Sequence, residues 1–122
     1  SMTDGTMEKL ASDGILIFTA IYDPQQLNLI SYPQTITRGF VVINESLPLL
    51  KKVQSEFLEQ YHQNKRLPTH ELETVLSAHM TEFIHNETGK TPLISTKMVK
   101  YDPKAFDVIL QEHNTKQAEK RK

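Results

Sequence analysis

The run Gly14-Ile15-Leu16-Ile17-Phe18-Thr19-Ala20-Ile21-Tyr22 limits the possible folds of this chain more than any other segment. Its β-branched and aromatic residues predict a strand. Side chains of a strand alternate between its faces, so Ile15, Ile17 and Ile21 point one way while Leu16, Phe18, Ala20 and Tyr22 point the other. Both faces are apolar. Each large apolar side chain left in water forgoes about 1.5–3 kcal/mol, so such a strand belongs inside a sheet that is covered on both sides.

Around it the sequence predicts the order β-β-β-α-α-β. Asp23-Pro24-Gln25-Gln26 has turn chemistry, Leu27 to Tyr32 reads as a short second strand, and Pro33 breaks it before a third strand from Ile36 to Ile43. A first helix starts near Ser46 as N-cap, with Pro48 tolerated in its first turn. At 100° per residue Leu50, Val53, Phe57 and Tyr61 form one stripe, with Leu47 and Leu58 at its edge and Lys52, Ser55, Glu56 and Glu59 pointing away. Asn64-Lys65-Arg66-Leu67-Pro68 ends it. Thr69 is expected to cap a second helix with the stripe Leu72, Val75, Leu76, Met80 and Phe83, stopped by Gly89. Pro92 to Tyr101 reads as a fourth strand, Asp102-Pro103 as the start of a last helix carrying Phe106, Ile109 and Leu110, and Asn114 to Lys122 as a frayed polar tail.

The expected architecture is an α+β two-layer sandwich: a small, mostly antiparallel sheet of three or four strands with two helices on one face. Residues 1–11 read as a linker whose Ser1-Met2 looks like a cloning remnant, 12–101 as the domain, and 102–122 as a C-terminal helix or tail. Two helices cover one sheet face only. The other must meet the C-terminal helix, another domain or another chain. On this argument Leu16, Phe18, Tyr22, Arg38 and Phe40 are the candidate interface residues. Arg38, inside an apolar strand, is expected to pair with a carboxylate such as Glu45 or to serve an interface.

With 122 residues, 38% hydrophobic and 24% charged, the chain has the composition of one soluble globular domain. A formal net charge of −1 argues against a surface that is basic throughout. Cysteine is absent, which removes disulfides and thiolate metal ligands and fits a cytoplasmic location. No apolar run approaches the roughly 20 residues of a membrane span, and the start has no secretion signal.

No residue pattern reads as catalytic machinery. His79, Glu82 and His85 recur at three-residue spacing, but successive 60° offsets fan them across a solvated helix face instead of converging on a metal. There is no glycine-rich phosphate loop and no nucleophile elbow. Lys51, Lys52, Lys65 and Arg66 are weak candidates for RNA phosphate contacts, interleaved as they are with Glu56, Glu59, Glu71 and Glu73 and without an aromatic platform. A solvated charged surface is the simpler reading of them.

Four segments together resemble the C-terminal domain of ribonuclease J: Ser12-Asp13-Gly14-Ile15, Thr37-Arg38-Gly39-Phe40-Val41, Glu45-Ser46 and Thr91-Pro92-Leu93-Ile94. Asp-Gly alone is weakly specific; the Arg-Gly-Phe-Val strand at its distance from it is more so. The resemblance runs from about Ser12 to Val99. The chain departs from the family in a short hairpin loop, in Asn44 where Arg is common, in Ser95-Thr96-Lys97 where the closing strand is usually apolar, and in the additional tail beyond Tyr101. These departures leave a divergent paralogue open.

The resemblance implies a parent enzyme of the metallo-β-lactamase/β-CASP class, a zinc-dependent ribonuclease with 5′→3′ exonuclease and endonuclease activities in RNA decay and rRNA maturation. Its zinc ligands are expected upstream, so this segment would hold neither cofactor nor catalytic residues. The family's C-terminal domain is associated with dimerisation, and the expected partner is a second copy or a related paralogue, with RNA bound through the parent. The alternatives are a small RNA-binding module that guides substrate, and a stand-alone protein-interaction domain.

Overall fold

The computed structural model describes residues 13–31, 33–38 and 47–120. The two-faced strand, β1 (Ile15–Asp23), lies at the centre of the sheet. Along one edge it pairs antiparallel with β3 (Gln34–Arg38), from Ile15↔Arg38 to Thr19↔Gln34, and with the short β2 (Asn28–Leu29) at Tyr22↔Leu29 and Asp23↔Asn28. Along the other edge it pairs with β4 (Leu93–Lys100), from Ile15↔Leu93 to Tyr22↔Lys100, and this ladder is parallel. Helices α1 (Leu47–Asn64) and α2 (Thr69–Thr88) connect β3 to β4, and α3 (Pro103–Lys120) follows. The α+β architecture is the one expected, with one parallel pairing in an otherwise antiparallel sheet.

The start of β1 shows why Asp13-Gly14 stands where it does. The Asp13 carboxylate accepts the Thr91 N–H at 2.7 Å, and the Gly14 carbonyl accepts the Leu93 N–H at 2.9 Å. Gly14 has φ 87°, a left-handed backbone that costs side-chain-bearing residues about 1–2 kcal/mol. These two hydrogen bonds, the first between residues 78 positions apart, set the register of the parallel ladder.

The second strand is shorter than predicted. Leu27 takes φ 59° and donates its N–H to the Asp23 carbonyl, while the Asp23 carboxylate accepts from Gln25 and Gln26. Two residues of regular pairing follow, and then the Ser31 hydroxyl accepts the Ile21 N–H at 3.0 Å in place of a backbone carbonyl. The third strand starts earlier than predicted, at Gln34; Gly39 to Ser46, including the predicted end of that strand, the Ser46 cap and Glu45, lie outside the described residues.

The core forms between the helices and one face of the sheet. Leu16, Phe18, Ala20 and Tyr22 of β1, with Ile94 and Met98 of β4, pack under Val53, Phe57 and Tyr61 of α1 and Leu72, Leu76, Met80 and Ile84 of α2. Phe18 stacks on Phe57 with centroids 5.0 Å apart, and Tyr22 meets Tyr61 edge-on at 6.4 Å. Of the predicted α2 stripe, Val75 and Phe83 are half-buried, while Ile84 joins the core. The expected cap moves by one residue: Pro68 occupies the N-cap and Thr69 is the first helical residue, its hydroxyl hydrogen-bonded to that of Tyr22. Gly89 ends α2 as predicted, at φ 73° with its N–H on the His85 carbonyl.

The Tyr61 side chain is fully buried, and its hydroxyl finds no hydrogen-bond partner among the described residues. Burial, with Tyr22 and Asp23 nearby, raises its pKa above the ordinary tyrosine value of 10.0. The folded state therefore holds this proton more tightly than the unfolded chain. Stability is intact below pH 10 and declines as pH rises through the folded pKa. Tyr61→Phe should unfold within about 1 kcal/mol of the parent at neutral pH, since it removes an unpaired buried group. Thermal melts should show a smaller loss of stability in the variant above pH 10; equal losses in both proteins would refute this account of Tyr61.

Candidate functional site

The sheet face opposite the helices is apolar and uncovered. In register across the strands, Ile15 stands beside Leu93, Ile17 beside Ile36, and Ile21 beside Val99. Ile36 keeps 49% of its surface in water, and Ile15, Ile21, Leu93 and Val99 are also exposed. Thr19, flanked by Gln34 and Lys97, forms a polar waist between two apolar patches. Three strands at about 4.8 Å spacing make the face about 10 Å wide, the width of one helix.

This placement corrects the interface assignment. Leu16, Phe18 and Tyr22 point into the core under α1 and α2, at 0, 0 and 2% exposure, and reach no partner unless that core opens. The free residues of β1 are Ile15, Ile17 and Ile21. Alternation revealed two apolar faces but not their orientation. A signal did exist: the aromatic face of β1, Phe18 and Tyr22, matches the aromatic stripe of α1, Phe57 and Tyr61. Arg38 pairs through its backbone with Ile15, and Phe40 lies outside the described residues.

The C-terminal helix leaves the face bare. Every described residue of α3 is exposed, including Phe106, Val108, Ile109 and Leu110. Its start is pinned: the Tyr101 N–H donates to the Tyr22 carbonyl at 2.8 Å, and the Asp102 carboxylate accepts from Lys104 and Ala105 at 3.0 and 3.2 Å. The predicted frayed tail is helical as far as Lys120. Good helix formers from Lys116 to Lys120, and Glu112 four residues before Lys116, account for that extension.

The outer edge of the sheet is partly closed. On β4 the Met98 N–H, which points away from β1, donates to the Glu73 carboxylate of α2 at 2.8 Å. Lys97 and Lys100 are exposed along the same strand, and charges on an edge discourage pairing with another strand. The sheet face has no such protection among the described residues.

The basic candidates separate into two groups. Lys51 and Lys52 lie in the first turns of α1, about 20 Å along the helix from Lys65 and Arg66 at its exit. Lys52 is engaged with Glu87 at 3.0 Å. Lys65 and Arg66 instead join Lys100 around a cleft of about 280 Å³ beside Tyr22, Leu27 and Thr69. Lys100 also lines two neighbouring clefts, one with Lys104 and one with Lys97. Among the described residues none of these five cations makes an ion pair. The nearby carboxylates of Asp23, Glu73 and Asp102 are spent on backbone N–H groups. That Lys100 joins Lys65 and Arg66 was not legible in the sequence, because only the fold brings the end of β4 to the α1–α2 turn.

The His79, Glu82 and His85 spacing divides among different partners. His79 Nε2 meets the Glu56 carboxylate across the helix pair at 2.7 Å, and His85 Nδ1 lies 3.4 Å from the Thr91 hydroxyl. Among the described residues no three imidazole or carboxylate groups converge on a metal-sized space, and no helix is long and apolar enough to cross a membrane.

Residues 8–101 match the family described as the Ribonuclease J C-terminal domain. The chain is 30% identical over 88 residues to proteins named Ribonuclease J 2 from Staphylococcus epidermidis and Staphylococcus aureus, an alignment covering 70% of this chain. It spans only 16% of the length of those relatives. Helix α3 lies beyond the matched residues.

Removing the Glu73 carboxylate should cost stability by exposing the Met98 N–H. Glu73→Ala is expected to lower the unfolding free energy by about 1 kcal/mol, and Glu73→Gln by less, because an amide oxygen still accepts. Denaturant titrations check this ranking; a Glu73→Ala variant as stable as the parent would show that the bond closes nothing.

Proposed function

Because the chain belongs to the family of ribonuclease J C-terminal domains, we propose that it is the non-catalytic assembly part of a ribonuclease. The open apolar face carries this reading. A sheet built from Ile15, Ile17, Ile21, Ile36, Leu93 and Val99 and left in water forgoes a large share of its possible burial, and exposed patches of this kind mark interaction surfaces. The proposal assigns RNA cleavage, by 5′→3′ exonuclease and endonuclease action in RNA decay and rRNA maturation, to a metallo-β-lactamase/β-CASP portion upstream. Zinc belongs to that portion. The domain's own task is to join two such enzymes, as a homodimer or with a related paralogue, in the cytoplasm. In a longer ribonuclease carrying this domain, its deletion should convert the oligomer to a monomer and lower activity. Sedimentation showing an unchanged oligomer after deletion would reject the assembly role.

A second reading, substrate guidance, is favoured by the basic corner. Lys65, Arg66 and Lys100 converge from two elements without ion pairs among the described residues, an arrangement suited to the phosphates of a single strand. Charge reversal at these three should weaken binding of single-stranded RNA by the isolated chain. It should also reduce the salt dependence, in a log–log plot, by about 2 for three lost phosphate contacts. Reversal at Lys51 should leave binding unchanged. No RNA binding by the parent chain at low salt would remove this reading.

A further inference from the structure

Two apolar surfaces of this chain have no cover among the described residues: the open sheet face and the stripe Phe106, Ile109 and Leu110 on α3. They fit each other in shape. The face is about one helix wide, and the stripe is short enough to lie on a single apolar patch, on either side of the waist at Thr19 and Lys97. Charge agrees as well, since Asp107 and Glu112 flank the stripe and Lys97 stands in the waist without an ion pair among the described residues.

A chain is poorly placed to make this contact with itself. Helix α3 starts at the Ile21 and Val99 end of the sheet, after a connector of two residues. That connector is held at both residues, Tyr101 by the Tyr22 carbonyl and Asp102 by its own cap on α3. The larger patch, Ile15, Ile17, Ile36 and Leu93, lies at the opposite end, about 20 Å away along the strands. With the connector so held, the helix and the face both remain exposed.

We propose that α3 of one chain lies across the Ile15, Ile17, Ile36 and Leu93 patch of a second copy, with the exchange made reciprocally about a two-fold axis. The proposal rests on the assembly reading and names the element that performs it. Each chain then covers its partner's sheet with a segment that the family match does not include. Such a closed, self-complementary contact stops at two chains instead of growing into a filament.

The test uses the chain's lack of cysteine and the exposure of α3. Deleting residues 103–122 removes no buried side chain among the described residues, so circular dichroism and melting should remain close to those of the parent. Sedimentation should show the intact chain at twice the chain mass and the deletion variant at once the chain mass. An equimolar mixture of Ile109→Cys and Ile17→Cys chains should give a disulfide-linked pair on mild oxidation, in excess of either variant alone. A deletion variant that stays dimeric overturns the helix exchange and leaves the assembly reading standing. An intact chain that is monomeric at every concentration overturns both for this chain. Crosslinking of Ile109→Cys only with itself, or a monomeric internal disulfide in a chain carrying both Ile17→Cys and Ile109→Cys, overturns the exchange in favour of a helix–helix or a same-chain contact.

Discussion

The fold depends on the parallel pairing of β1 with β4. The two strands meet across the whole length of the intervening hairpin and helix pair, and nothing local holds them in register. The Asp13 carboxylate on the Thr91 N–H and the Gly14 carbonyl on the Leu93 N–H fix it at one end, and the Tyr101 N–H on the Tyr22 carbonyl fixes it at the other. A one-residue slip would turn Ile94, Thr96 and Met98 out of the core and Leu93, Ser95 and Val99 into it. These contacts also place α1 and α2, because their core face is the one made by Leu16, Phe18, Ile94 and Met98.

From that pairing follows the division between the core and the open face of the sheet. The inner face is closed by two helices, and the aromatic residues of α1 pack against those of β1. The outer face keeps Ile15, Ile17, Ile21, Ile36, Leu93 and Val99, and the β4 edge of the sheet is blunted by Glu73. A small domain that leaves one face of its sheet in water has a modest core of its own. Any partner that bound only the folded face would stabilise the domain by mass action.

Much of this was legible in the residues. The helical stripes at Val53, Phe57 and Tyr61 and at Leu72, Leu76 and Met80 appear where periodicity placed them, and Gly89 stops α2 where a left-handed cap was expected. The misreadings are local competitions. Leu27 adopts a left-handed turn and Ser31 substitutes its hydroxyl for a backbone partner, so the second strand is cut to two residues. Polar residues after Asn114 were read as frayed, yet their helix propensity carries α3 on to Lys120.

The sequence by itself determined that β1 is apolar on both sides and that two amphipathic helices exist, because alternation and periodicity are properties of neighbouring residues. Which face of β1 the helices take was decided only in three dimensions, by the fit of Phe18 and Tyr22 against Phe57 and Tyr61. The same is true of the basic corner, where Lys65 and Arg66 meet Lys100 from a strand more than thirty positions later. Contacts between residues so far apart in the chain are set by the register of the sheet and the path of the helices, and no local pattern encodes them.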